Sequence, residues 1–109
     1  MSARPFVSQL RARQEPIRLG APGEPTISIR VQLLEAWDAV LVEAPPSEPV
    51  VTVKVRALEA LCPEAEYHDE FVVKLRGFEV LDENASLADA GVRDGSTLLV
   101  TSRRRRPVR

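Results

Sequence analysis

Residues 87–100, LADAGVRDGSTLLV, constrain the fold of this chain more than any other stretch. Leu87, Ala90 and Val92 place apolar anchors around a short turn, and Asp94-Gly95 marks a tight reversal. Thr97, Leu98, Leu99 and Val100 then read as a β-branched, apolar strand. The stretch is a turn that feeds a final strand.

Upstream, residues 26–34 alternate, with Ile27, Ile29, Val31 and Leu33 on one side and Ser28, Arg30 and Gln32 on the other. A period of two with β-branched residues is the pattern of a strand that covers a core with one face. Residues 35–38 form a reversal and residues 39–43 a second, more uniformly apolar strand, which together make an antiparallel hairpin. Pro45-Pro46-Ser47-Glu48-Pro49 ends it, because proline cannot donate to a ladder and restricts the residue before it.

Residues 50–62 support two readings. Val51, Val53 and Val55 alternate with Thr52 and Lys54 as in a strand. Val51, Val55, Leu58 and Cys62 also fall at helical spacing, and residues 56–61 are rich in strong helix formers. The spacing predicts a helix over 51–62, stopped by Pro63, with an extended first half as the alternative. Residues 64–70 are a polar connection and 71–75 a strand. Arg76-Gly77 allows a reversal into a short strand at 78–80, and 81–86 is a loop rich in acids and turn formers.

Hairpin, helix, two short strands, helical turn and last strand, closed by the 87–100 stretch, form an order that resembles the ubiquitin-like β-grasp family over about residues 26–102. The resemblance implies an α+β fold with a mixed sheet of four to five strands wrapped on one helix, its first and last strands parallel neighbours at the centre. Central strands are the more deeply buried ones, which suits two apolar strands at opposite ends of the domain.

In that family an apolar patch on the third and last strands is the recognition surface. Its counterparts here fall near Val73 or Lys74 and near Leu99 or Thr101, so charge and hydroxyl replace part of it, and Phe78 is a substitute anchor. Trp37 lies at the hairpin reversal, where it either caps the core edge or stands exposed as a binding anchor. The expected partner-binding residues are Lys74, Phe78, Leu99 and Trp37. Conjugated members of the family end in a glycine pair, whereas residues 101–109 contain no glycine; Lys54 and Lys74 are the only lysines on which chains would be built. These departures resemble the small bacterial ubiquitin-like proteins, some encoded with type VII secretion systems, and arginine-rich, lysine-poor composition leans the same way.

The near-neutral net charge of −1 conceals a partition. Residues 26–102 carry six basic and fourteen acidic side chains, a net of −8, while residues 103–109 carry Arg103, Arg104, Arg105, Arg106 and Arg109 and no acid. Residues 1–25 are also net basic and contain four prolines and two glycines, the composition of a flexible arm. The arginine tail is an electrostatic or conjugation handle; its binding to nucleic acid would be unspecific and salt-sensitive, against the charge of the acidic body. One cysteine excludes an internal disulfide framework and a four-cysteine zinc site, and favours the cytoplasm. No apolar run approaches a membrane span, and residues 1–20 lack the continuous apolar core of a secretory signal.

Chemistry finds little purchase. Cys62 and His68 are the sole cysteine and histidine, with no orienting group beyond exposed acids, and Cys62 on the apolar helix stripe reads as a packed thiol. Glu64, Glu66, His68, Asp69 and Glu70 lack the repeated His or Cys spacing of a metal site and read as a solvated loop. The glycines match no phosphate-binding loop. No metal or cofactor is implied. The sequence therefore points to a non-enzymatic protein-protein interaction module with proteins as partners, activating or conjugating enzymes or secretion machinery among them. A divergent modifier joined through a processed tail, and an accessory protein that binds nucleic acid through its arginines, are the alternatives.

Overall fold

A computed structural model describes residues 16–65 and 67–103. Six strands and one helix follow in the order β1 (Ile17–Arg18), β2 (Ile27–Leu33), β3 (Asp38–Ala44), α1 (Val50–Leu61), β4 (Phe71–Leu75), β5 (Phe78–Glu79) and β6 (Thr97–Ser102). They form one mixed sheet in the order β1-β3-β2-β6-β4-β5. Among the described residues the count is six, not four to five, because Ile17–Arg18 add a two-residue edge strand, β1, to those expected.

The alternation read at 26–34 is realised in β2. Ile29, Val31 and Leu33 are buried, and β3 answers with Val40, Val42 and Ala44 across an antiparallel register that pairs Ile29 with Val42 and Val31 with Val40. Strand β6 pairs parallel with β2, Val31 beside Leu98 and Leu33 beside Val100, and antiparallel with β4, Val73 beside Val100. The two apolar strands from opposite ends of the sequence are thus central neighbours.

Helix α1 covers the inner face of the sheet. Its buried residues, Val50, Val53, Lys54, Ala57 and Leu58, recur at three- and four-residue intervals, the stripe an amphipathic helix presents to a core. This settles the competing reading of residues 51–55 and shifts the expected stripe, since Val51 and Val55 are only half-buried. The helix has no side-chain N-cap. A connecting loop supplies the acceptors instead: the Val50 N–H donates to the Ala85 carbonyl (3.0 Å) and the Val51 N–H to the Glu83 carbonyl (2.8 Å).

Among the described residues Lys54 is the one charged residue in the core, at 3% exposure, and its ammonium has two acceptors there. Nζ donates to Glu83 Oε1 at 2.6 Å and to the Phe71 carbonyl at 3.0 Å, tying helix, loop and the start of β4 together. The loop closes onto the pre-helix segment through Leu87 N–H to Glu48 O and Ala88 N–H to Pro46 O, with Leu87 and Val92 buried as anchors.

Within the stretch 1–25 expected as an arm, residues 17–19 join the sheet and the core. Ile17–Arg18 pair parallel with Val42 and Glu43, Leu19 is 8% exposed in the core, and Arg18 Nε lies 3.1 Å from Glu43 Oε1. The apolar Ile17 and Leu19 bury against an open sheet edge, which outweighs the proline and glycine content around them. Residues 1–15 and 104–109 lie outside the described residues.

The asymmetry of the Lys54–Glu83 pair gives a stability prediction. Glu83→Ala leaves a buried ammonium without its counter-charge and should cost about 3 kcal/mol or more. Lys54→Met keeps the packing and leaves only a partly solvated carboxylate, so its cost should be smaller. Chemical denaturation of the two variants reads the order directly.

Candidate protein-binding surface

The β4–β5 hairpin carries one of the exposed apolar surfaces of the domain. Arg76 (φ 54) and Gly77 (φ 84) both adopt the left-handed region, the requirement of a two-residue turn matched to the twist of its strands. The turn pairs Leu75 with Phe78 and Lys74 with Glu79. Opposed residues share a face, so Phe78 joins Leu75 on the core side of the sheet and Lys74 lies on the outer side.

Phe78 is 78% exposed and Leu81, three residues on, is 85% exposed. With Leu75, Val80, Ala85, Ala90 and Gly91 they line a groove of about 560 Å³ edged by Glu79, Asp82 and Asp89. Sequence reasoning singled out Phe78 but missed Leu81, which sat unremarked in an acidic loop. The signal available was a large apolar residue that no periodic pattern required.

The remaining expected residues disperse. Lys74 and Leu99 are cross-strand partners, and with Gln32 they line a smaller outer-face depression of about 390 Å³. Val73, weighed against Lys74 for this position, is fully buried. Trp37 lies at the end of the sheet where β6 runs out, is 84% exposed, and holds a left-handed φ of 52 that bulky residues rarely adopt. The packed alternative for its side chain is excluded. Glu35, in the same turn, accepts the Thr101 hydroxyl (2.9 Å) and the Ser102 N–H (2.8 Å), pinning the exit of β6.

Beyond that exit the Arg103 N–H donates to the Glu70 carbonyl at 2.6 Å and its guanidinium lies 3.5 Å from Glu79 Oε2. Arg104, Arg105, Arg106 and Arg109 lie outside the described residues. Of the two lysines, Lys54 is buried and ion-paired, so Lys74 is the accessible one.

Cys62 caps the C-terminus of α1, half-buried against the core. Burial and the neighbouring Glu64 carboxylate push its thiol above the ordinary value, against a smaller opposing effect of a hydrogen bond from Ala65. His68 is not among the groups acting on it. Among the described residues no group of three or more His, Cys, Asp or Glu is placed to hold a metal ion; Glu66 of the acidic loop lies outside them. No helix among the described residues is long and apolar enough to cross a membrane.

Strand order, the helix on one face and the parallel central pair define a ubiquitin-like β-grasp fold. The ubiquitin-like domain of an Arabidopsis thaliana protein superposes with a TM-score of 0.63 at 16% identity, covering 83% of this chain and 90% of that one. Ubiquitin of Caldiarchaeum subterraneum gives 0.60 at 19% identity, covering 76% and 96%. A structure reported for molecular mimicry of SUMO that promotes DNA repair gives 0.60 at 14% identity, covering 71% and 91%. By sequence, residues 23–103 match a family described as of unknown function (DUF2604), and the chain belongs to that family. No curated protein matches the sequence.

The raised thiol predicts slow alkylation of Cys62. Its rate at pH 7 should fall below that of a free cysteine, and should still climb above the ordinary thiol pKa of about 8.5, where a free thiol levels off. A pH series of alkylation rates followed by intact mass checks this.

Proposed function

We propose that this protein is a non-enzymatic interaction module that binds other proteins through the β4–β5 edge of its sheet. The observation that carries the reading is the pair Phe78 and Leu81, two large apolar side chains exposed side by side in one groove of an acidic domain. Isolated exposed apolar residues need no explanation, but an aromatic and a leucine clustered over a concave surface have the make-up of a binding hot spot. The neighbours described as ubiquitin and as a mimic of SUMO support protein binding as the general task of the fold.

The non-enzymatic part of the proposal is supported by the state of the thiol. The one thiol is held toward its protonated, unreactive form. The cytoplasm, a bacterial origin and partners in secretion or conjugation machinery belong to the same proposal. The single cysteine supports the first and the ratio of thirteen arginines to two lysines the second, while the glycine-free stretch after β6 favours secretion machinery over conjugation.

Affinity capture from the native host with the wild type and with Phe78→Ala/Leu81→Ala tests the surface. Both residues are exposed, so the variant should fold and melt within about 0.5 kcal/mol of the wild type. A protein retained by the wild type and by Trp37→Ala but lost by the double variant is the expected result. Equal recovery by all three removes this surface. A higher-mass covalent adduct of the chain in the same host would replace the reading with that of a modifier.

A further inference from the structure

We infer that the β4–β5 groove receives an extended, basic polypeptide segment carrying one bulky apolar side chain. This rests on the reading of the groove as the binding surface and names what enters it.

The lining sets the apolar part. Leu75, Phe78, Val80 and Leu81 are its large apolar residues, and Ala85, Ala90 and Gly91 its small ones. Gly91 holds φ 92, a conformation that disfavours any side chain. At about 560 Å³ the groove has room for an aromatic or long aliphatic side chain.

The edge sets the charge. Three acids, Glu79, Asp82 and Asp89, line it against one base, Arg76 at the turn. Asp82 and Asp89 are exposed, and no guanidinium or ammonium among the described residues is within salt-bridge distance of either. Glu79 already meets one, since the Arg103 guanidinium reaches it at 3.5 Å. An acidic or phosphate-bearing ligand would be repelled by the two unpaired carboxylates, and a neutral apolar one would strip water from them without compensation. A cationic segment meets neither obstacle.

The backbone sets the shape. Strand β5 is the last in the sheet and, among the described residues, pairs only with β4, which leaves its outer edge unpaired there and suited to an added strand. Rim ion pairs contribute little affinity each, so the apolar anchor supplies the strength and the acids supply the selection and the rate of encounter.

The test uses the full chain and three synthetic nine-residue peptides. The first has two arginines on each side of a central phenylalanine; the second has glutamates for the arginines, and the third alanine for the phenylalanine. Amide shifts confined to residues 75–82 and 85–91 on titration with the first peptide, lost as salt is raised, are expected. The glutamate peptide should not bind, and the alanine peptide should bind more weakly. Asp82→Lys/Asp89→Lys should weaken the first peptide on the order of tenfold or more, with an otherwise unchanged spectrum.

If Leu81→Ala abolishes binding while the charge variant and the glutamate peptide behave like their parents, the surface stands and the basic partner is wrong. If Leu81→Ala, the charge variant and the wild type bind alike, or no peptide binds, the assignment of this groove falls. Self-association of the wild type through the same residues would make the occupant a second copy and equally overturn the proposal.

Discussion

The parallel pairing of β2 with β6 is the constraint on which the rest of the molecule depends. Parallel neighbours cannot be joined by a tight turn, so everything between residues 33 and 97 has to be folded into the crossover that separates them. The pair is fastened at both ends. At one, Asp94 Oδ1 accepts the Ser28 N–H at 2.8 Å and Gly95 donates back to Ser28 at 2.7 Å; at the other, the Glu35 carboxylate closes on Ser102. Between the clips, Val31, Leu33, Leu98 and Val100 are buried almost completely, each worth roughly 1.5–3 kcal/mol as an upper bound.

The crossover then decides where the free surface lies. Backbone groups of residues 83–88 are committed to the helix start and the pre-helix segment, and the Glu83 side chain to Lys54. Leu81 and Asp82 stand just ahead of that commitment, at the margin of the sheet, where nothing covers them among the described residues. The groove is in this sense a by-product of how the crossover is anchored: the core is complete without Phe78 and Leu81, so their exposure is not repaired by packing.

Much of the architecture was legible in the sequence because it is written in local patterns. The alternation in β2, the Asp94-Gly95 corner and the helix formers after Val55 each point to the element that forms. What escaped was decided by distant partners. Lys54 looked like the polar side of an element because its counter-ion Glu83 is 29 residues away. Ile17 and Leu19 looked like part of an arm, for the open edge of β3 that buries them cannot be seen from their own neighbourhood. The site was half legible: Phe78 and Trp37 are conspicuous by type, whereas Leu81 acquires meaning only once the turn brings it beside Phe78. Lys74 and Leu99 are cross-strand partners on the other face of the sheet.

A stable centre and a free margin make a single physical account, and amide hydrogen exchange measures both at once. Amides in β2 and β6 should exchange only through global unfolding, while those of Phe78, Leu81 and Asp82 exchange through local opening, faster by orders of magnitude. Protection of Phe78–Glu79 and Leu81 equal to that of Val31 and Leu98, or rapid exchange at Val31 and Leu98 themselves, would contradict it.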